Sequence, residues 1–205
     1  ETELFHMCMQ FMAAGHETTG AALQWVLYFL ATHPDVQERV LKEANEILGD
    51  RENISFDDVK KMTYFEAVFN ESMRVRAPIP VMVRSAASSI VLGDYLVEEG
   101  SVILIMVGEV QRDPRYWGSD ANFFNPEHFT HQNEAARPRA AFMPFGLGPR
   151  LCIGHRFTVL EACILVVQLI RKYRFEYISG QNVEPFLRTT WSTKNGIRLS
   201  VSPRN

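Results

Sequence analysis

The chain has 205 residues, 46% of them hydrophobic, with 21 basic against 24 acidic side chains and a net charge of −3. That length suits one or two domains, and the apolar share is ample for a core. A near-balanced charge without a basic patch excludes nucleic acid as a partner, because phosphate neutralisation needs a concentrated cationic face.

From the start, Leu4, Phe5, Cys8, Phe11, Met12, Ala22, Trp25, Val26 and Phe29 recur at helical spacing and predict one long helix, with no cap or turn before Glu1–Gln10. Inside it, Ala14-Gly15-His16-Glu17-Thr18-Thr19 breaks helix rules: an interior Gly costs about 1 kcal/mol against Ala, and paired threonines are poor formers. Local rules tend to be broken at working sites. The Thr18 hydroxyl can bond the Ala14 carbonyl, loosening the ladder beside Gly15 and opening a groove. Taken alone, an ordinary amphipathic helix with a solvent-facing Glu17 is the simpler reading.

Thr32-His33-Pro34 opens a second helix to about Leu48, with proline where its missing N–H does no harm. Glu38 with Lys42 and Arg39 with Glu43 are i,i+4 pairs for its exposed face. Thr63 and Glu66 have capping-box spacing for a further helix that Pro78 and Pro80 end. That helix carries Glu71-Ser72-Met73-Arg74, opposite charges on one face, a pattern common on surfaces and worth little there. Extended segments follow at Val81–Ser85 and Val102–Ile105, then an irregular stretch from Phe123 to His131 and a mobile loop at Asn133–Arg139.

The most informative stretch is Phe145-Gly146-Leu147-Gly148-Pro149-Arg150-Leu151-Cys152-Ile153-Gly154. A thiol ionises most readily at a helix N-terminus beside a fixed cation, here Arg150. Gly148 and Gly154 let backbone approach the sulfur, and Phe145 can shield it from water. A helix from Arg156 to Lys172 follows, then strands of one small sheet at Arg174–Ile178, Leu187–Thr190 and Ile197–Val201. Cys8 and Cys163 fall in helical apolar patterns and are expected as reduced core thiols. The longest apolar runs, Ala21–Ala31 and Ala162–Ile170, fall short of the about 18 residues a membrane span needs, and no signal peptide is visible.

Phe145, Gly148, Arg150, Cys152 and Gly154 together resemble the haem-binding loop of the cytochrome P-450 superfamily, the haem-thiolate monooxygenases. The resemblance implies a mainly α fold with small peripheral β-sheets, residues 1–205 forming the haem-binding C-terminal half of one domain. It implies haem b with the Cys152 thiolate as axial ligand, and Arg84 on a propionate. Glu17 would feed a proton relay, and Thr18 would donate a hydrogen bond as one oxygen atom leaves as water. Glu71 and Arg74 become a buried structural ion pair locking the haem-side core to a later segment written F-x-x-P-x-R-F. Phe124, Pro126, Glu127 and Phe129 represent that segment, with His128 replacing its arginine; a group that titrates near neutrality makes pH-dependent haem-core stability the expectation. Arg112-Asp113-Pro114 and Trp117-Gly118 resemble the family segment before it, with Gln111 where many members carry histidine.

The same resemblance assigns Met12, Ala13, Ile79, Val81, Met82 and Phe186, the last in a Pro185-Phe186-Leu187 turn, to the substrate pocket. It implies dioxygen, a lipophilic small molecule and either an NADPH-linked reductase or a ferredoxin-type electron donor as partners. Anchoring at the endoplasmic-reticulum membrane and a cytosolic location are both left open. The competing expectation is a truncated polypeptide with weak or no haem binding. A haem-thiolate isomerase or dehydratase needs no proton relay, and the Glu17-Thr18 pair argues against it.

Overall fold

The computed structural model describes residues 2–204. The first helix, α1 (Thr2–Thr32), runs 31 residues without a break, and its buried positions, Thr19 through Ala31, all lie in its second half. The first half keeps Leu4, Phe5, Phe11 and Met12 exposed. Cys8 lies on that half and is exposed, so it is not a core thiol, whereas Cys163 is buried with its thiol pushed up to about 12 by burial. Among the described residues no helix is long and apolar enough to cross a membrane.

Next come α2 (Pro34–Leu48), α3 (Phe56–Val59) and α4 (Thr63–Val75). The Thr63/Glu66 capping box does not form. The box is at α3, where Ser55 and Asp58 bond each other reciprocally. The start of α4 is capped from another helix: Glu43 of α2 accepts from the backbone N–H of Tyr64 at 2.6 Å and of Phe65 at 2.9 Å. A carboxylate at those two unpaired donors is favoured by hydrogen bonding and by the helix dipole. Among the described residues neither expected i,i+4 pair forms, because Glu38, Arg39 and Glu43 are taken by distant partners, while solvated Lys42 meets a different neighbour on its own helix. Arg39 pairs with Glu127 at 2.7 Å, Glu38 with Arg204 at 3.0 Å, and Lys42 reaches Glu46.

After α4 the chain forms β1 (Met82–Ser85), the hairpin β2 (Ile90–Leu92) and β3 (Tyr95–Val97), and β4 (Val102–Ile105), which returns antiparallel to β1. The β2–β3 hairpin was not expected, although a Gly-Asp turn between apolar triplets signals one, with Gly93 at φ +60°. Then come α5 (Val107–Val110), α6 (Pro114–Trp117) and α7 (His131–Ala135), so the expected 133–139 loop is helical over its first residues. The long helix α8 (His155–Lys172) leads to β5 (Tyr173–Tyr177), β6 (Pro185–Leu187), β7 (Trp191–Thr193) and β8 (Leu199–Pro203). The terminal strands form two separate antiparallel pairs, β5–β8 and β6–β7, instead of one sheet. Pro185–Leu187 is strand, not turn, and 188–190 links the two strands of its pair.

Apolar faces of α1, α2, α4 and α8 meet in one core around Val26, Leu30, Val40, Phe69, Val166 and Ile170. Buried Gln37 joins α2 to neighbouring backbone, donating to Leu30 and Phe175 carbonyls at 2.9 Å and accepting the Phe175 N–H at 3.0 Å.

The buried face of α4 carries a charge cluster. Arg74 and Glu71 are both 0% exposed, so neither can draw on solvent. All five Arg74 N–H groups find oxygen: both Glu71 carboxylate oxygens at 2.7 Å and the carbonyls of Gln111, Ala121 and Phe123 at 2.6–2.9 Å. Glu71 also accepts from the Asn125 N–H at 2.8 Å and bonds His128 Nδ1 at 3.1 Å, while His128 Nε2 is 3.2 Å from Asp120. Gln111, fully buried, donates to the Met73 and Arg74 carbonyls and accepts the Met143 N–H. Trp117 lies under both Arg74 and Arg137, and Arg137 also donates to the His128 carbonyl.

Glu71, Asp120, Arg74 and a protonated His128 sum to zero charge. Burial, the largest single influence, lowers the His128 pKa, but the Glu71 carboxylate, by hydrogen bond and charge, with help from Asp120 and against Arg74, holds it above the ordinary histidine value. A raised folded-state pKa contributes stability that is complete below the unfolded value, about 6.5, and is lost as pH rises through the folded one. The thermal midpoint is therefore expected to fall as pH rises above about 6.5, and His128→Arg to flatten that decline; parallel profiles for the two proteins would refute it. Glu43→Ala is expected to lower stability by about 1–2 kcal/mol in denaturant titrations, with Thr63→Ala close to unchanged.

Candidate active site

The loop before α8 is shaped by two glycines in the left-handed region, Gly146 at φ +78° and Gly148 at φ +69°, conformations that L side chains resist. Gly146 is also enclosed: a Cβ there would lie 3.5 Å from Met82 Sδ and 3.6 Å from the Arg150 carbonyl. The Cys152 N–H closes the loop on the Phe145 carbonyl at 2.9 Å, and the Cys152 carbonyl accepts from His155 N–H at 3.3 Å at the start of α8. The thiol is thus delivered to the helix N-terminus and left exposed. Gly154, with φ −82°, has a backbone open to any residue; a Cβ there would lie 3.8 Å from Cys152 Sγ and cover its flank. The Phe145 ring packs on His155, centroids 4.4 Å apart.

Facing this loop is α1. A cavity of about 820 Å³ has Met12, Ala13 and Thr18 of α1 on one wall and Cys152, Phe157 and Thr158 on the other. A second, of about 170 Å³, adds Met73, Ile79, Met82 and Phe145. Thr18, Cys152 and Thr158 line both. The larger volume lies in the range of small-molecule sites, about 300–1,000 Å³, and its walls are mostly apolar.

Among the described residues no group of three or more His, Cys, Asp or Glu could hold a metal ion. A metal seated at Cys152 would take one protein ligand and bring the rest with it. A single cysteine sulfur beside a broad apolar slot fits iron carried in a macrocycle, because the ring would supply the remaining nitrogen ligands and an apolar body.

The expected bond from Thr18 Oγ1 to the Ala14 carbonyl forms, at 2.6 Å, yet α1 stays α-helical through it, so the ladder accommodates the bond unbroken. Glu17 is not on the cavity wall; its Oε1 accepts from the Thr190 hydroxyl at 3.2 Å. Met12 and Ala13 line the larger cavity and Ile79 and Met82 the smaller, while Val81 and Phe186 line neither. Arg84 lies on β1 and donates to the Val83 carbonyl; Arg150 lies exposed on a 3-10 turn with Gly148. Among the described residues neither arginine has a carboxylate within 4.0 Å. Glu71 and Arg74 of α4 and their partner His128 lie outside both cavities, and only Met73, between the first two on α4, reaches the smaller one.

By count, the phenylalanine that opens an F-x-x-P spacing is Phe123, which is exposed and gives its carbonyl to Arg74. Phe124 stacks on Phe29 of α1 instead, centroids 4.3 Å apart. Sequence reasoning missed Thr158, one turn beyond Gly154, and Thr190, which no local pattern connects to Glu17.

A family model described as Cytochrome P450 matches residues 1–201. The chain is 37% identical to a cytokinin hydroxylase of Arabidopsis thaliana over 199 residues, covering 96% of this chain and 38% of that protein. It is 33% identical to Cytochrome P450 4c3 of Drosophila melanogaster, covering 95% of this chain and 37% of that protein. It is 36% identical to LUTEIN DEFICIENT 5, a chloroplastic protein of Arabidopsis thaliana, covering 96% and 33%. The chain therefore spans less than two fifths of the length of these relatives. The family match over nearly the whole chain and these identities show that it belongs to the cytochrome P450 family.

Proposed function

We propose that this chain is the haem-binding part of a monooxygenase acting on a lipophilic small molecule, with Cys152 as the thiolate ligand of haem b. The observation that carries the reading is that Thr18 and Cys152 line the same mostly apolar cavities. When bound, the haem supplies the redox chemistry, activating dioxygen with electrons from an NADPH-linked reductase or a ferredoxin-type donor so that one atom enters the substrate and the other leaves as water.

The chain's own residues bind, orient and move protons. Gly148 and Phe145 hold the Cys152 loop, and Gly154 leaves the flank of the sulfur uncovered. Arg84 and Arg150, without carboxylate partners among the described residues, suit the two propionates. Thr18 donates its one hydroxyl proton to the Ala14 carbonyl, which leaves its oxygen as an acceptor at the cavity; rotating off Ala14 frees the same proton for donation inward while water donates to the oxygen. Glu17, one residue away and outside the cavity wall, exchanges protons with that hydroxyl through water. Met12, Ala13, Ile79 and Met82 line the space where an apolar substrate lies; Val81 and Phe186 act from outside it.

A second reading, a polypeptide that holds haem weakly and has no activity alone, is favoured by the exposed apolar first half of α1. One experiment separates them: reduce this chain and its full-length parent under carbon monoxide and look for the red-shifted Soret band of thiolate ligation. The parent is expected to give the band and Cys152→Ser to abolish it; a parent without it would end the monooxygenase reading, and a fragment showing it would end the inert one. Thr18→Ala is expected to keep the band while diverting reduced oxygen from product to peroxide.

A further inference from the structure

We propose that Thr190 is a positioning residue for Glu17 and links the acid's orientation to the β6–β7 hairpin. The inference rests on the proton-handling role proposed for Glu17. The Thr190 side chain is 2% exposed, and its hydroxyl donates to Glu17 Oε1 at 3.2 Å. A buried hydroxyl needs an acceptor, so the contact is costly to break and fixes one carboxylate oxygen. The other, Oε2, has no protein partner among the described residues and is left for water.

The hairpin itself is anchored on α1 and beyond. Gln24 donates to Thr193 Oγ1 and Trp25 Nε1 to the Trp191 carbonyl, both at 2.9 Å, so Glu17, Gln24 and Trp25 form one face of α1 that grips β7 and its approach. The Trp191 N–H donates to the Pro78 carbonyl at 2.7 Å, and Pro78 lines the smaller cavity. Phe186 pairs with Ser192 across the hairpin. A molecule in the smaller cavity that displaces Pro78 therefore moves the donor that orients Glu17. Substrate occupancy and proton supply share one mechanical element.

The test uses the full-length protein, comparing Thr190→Val, Thr190→Ser and Glu17→Gln for carbon-monoxide band, solvent isotope effect on turnover, and partition of electrons between product and peroxide. Thr190→Val is expected to keep the band, enlarge the isotope effect and raise the peroxide fraction about three- to tenfold, the scale of one ordinary lost hydrogen bond. Thr190→Ser, which keeps the donor, is expected to restore wild-type partition. If Thr190→Val loses the band, Thr190→Ala removes the same donor with less bulk and carries the comparison. Wild-type partition and isotope effect in a band-positive Val or Ala variant would overturn the proposal. If Glu17→Gln uncouples turnover in that case, only the Thr190 role fails; if Glu17→Gln also behaves as wild type, the relay reading fails with it.

Discussion

A guanidinium removed from water must have every donor answered, and Arg74 is where this chain meets that requirement. Losing one partner of such a buried charge costs far more than the pair gains over a hydrophobic substitute. Three of the five bonds Arg74 donates go to backbone carbonyls, of Gln111, Ala121 and Phe123, so the charge determines where two stretches of irregular chain run, one at Gln111 and one at 121–123. Those stretches have little regular structure of their own to hold them. The cluster substitutes for a sheet or helix in fixing them, and the loop that follows is attached through the Gln111 bond to the Met143 N–H.

The same logic of distant partners recurs at the helix ends. Glu43 leaves its own helix to cap α4, and Arg171 near the end of α8 reaches the Gly49 and Arg51 carbonyls after α2. These contacts match charge to unpaired backbone groups at helix termini, where dipole and hydrogen bonding act together. They set the spacing of α2, α4 and α8. That spacing in turn places Met73 and the Cys152 loop beside α1.

On this frame the cysteine loop is rigid where it must be. Left-handed glycines turn it, and a backbone bond closes it. The opposite wall is a helix whose second half is core and whose first half is exposed, so Thr18 lies where α1 passes from one to the other. A hydroxyl at that boundary can meet both buried apolar space and water.

Much of this was legible in the residues. Local pattern marked α1 and α4 and bounded α2 and α8 to within a residue or two, and the Thr18–Ala14 bond followed from spacing because both groups are on one turn. The cysteine loop was legible because glycines mark positions whose backbone L side chains resist, as at Gly146 and Gly148. Partners separated by tens of residues were not: Glu43 at α4, Thr190 at Glu17 and the three carbonyls at Arg74 depend on how helices stack, which local pattern does not encode. Cys8 was misjudged for the same reason, since apolar periodicity marks a face able to be buried and only packing decides whether it is. Sequence alone determined which groups can do the chemistry, through residue type and local spacing. Tertiary structure decided which of them face the cavity, because burial and hydrogen-bond partners are properties of the packed helices.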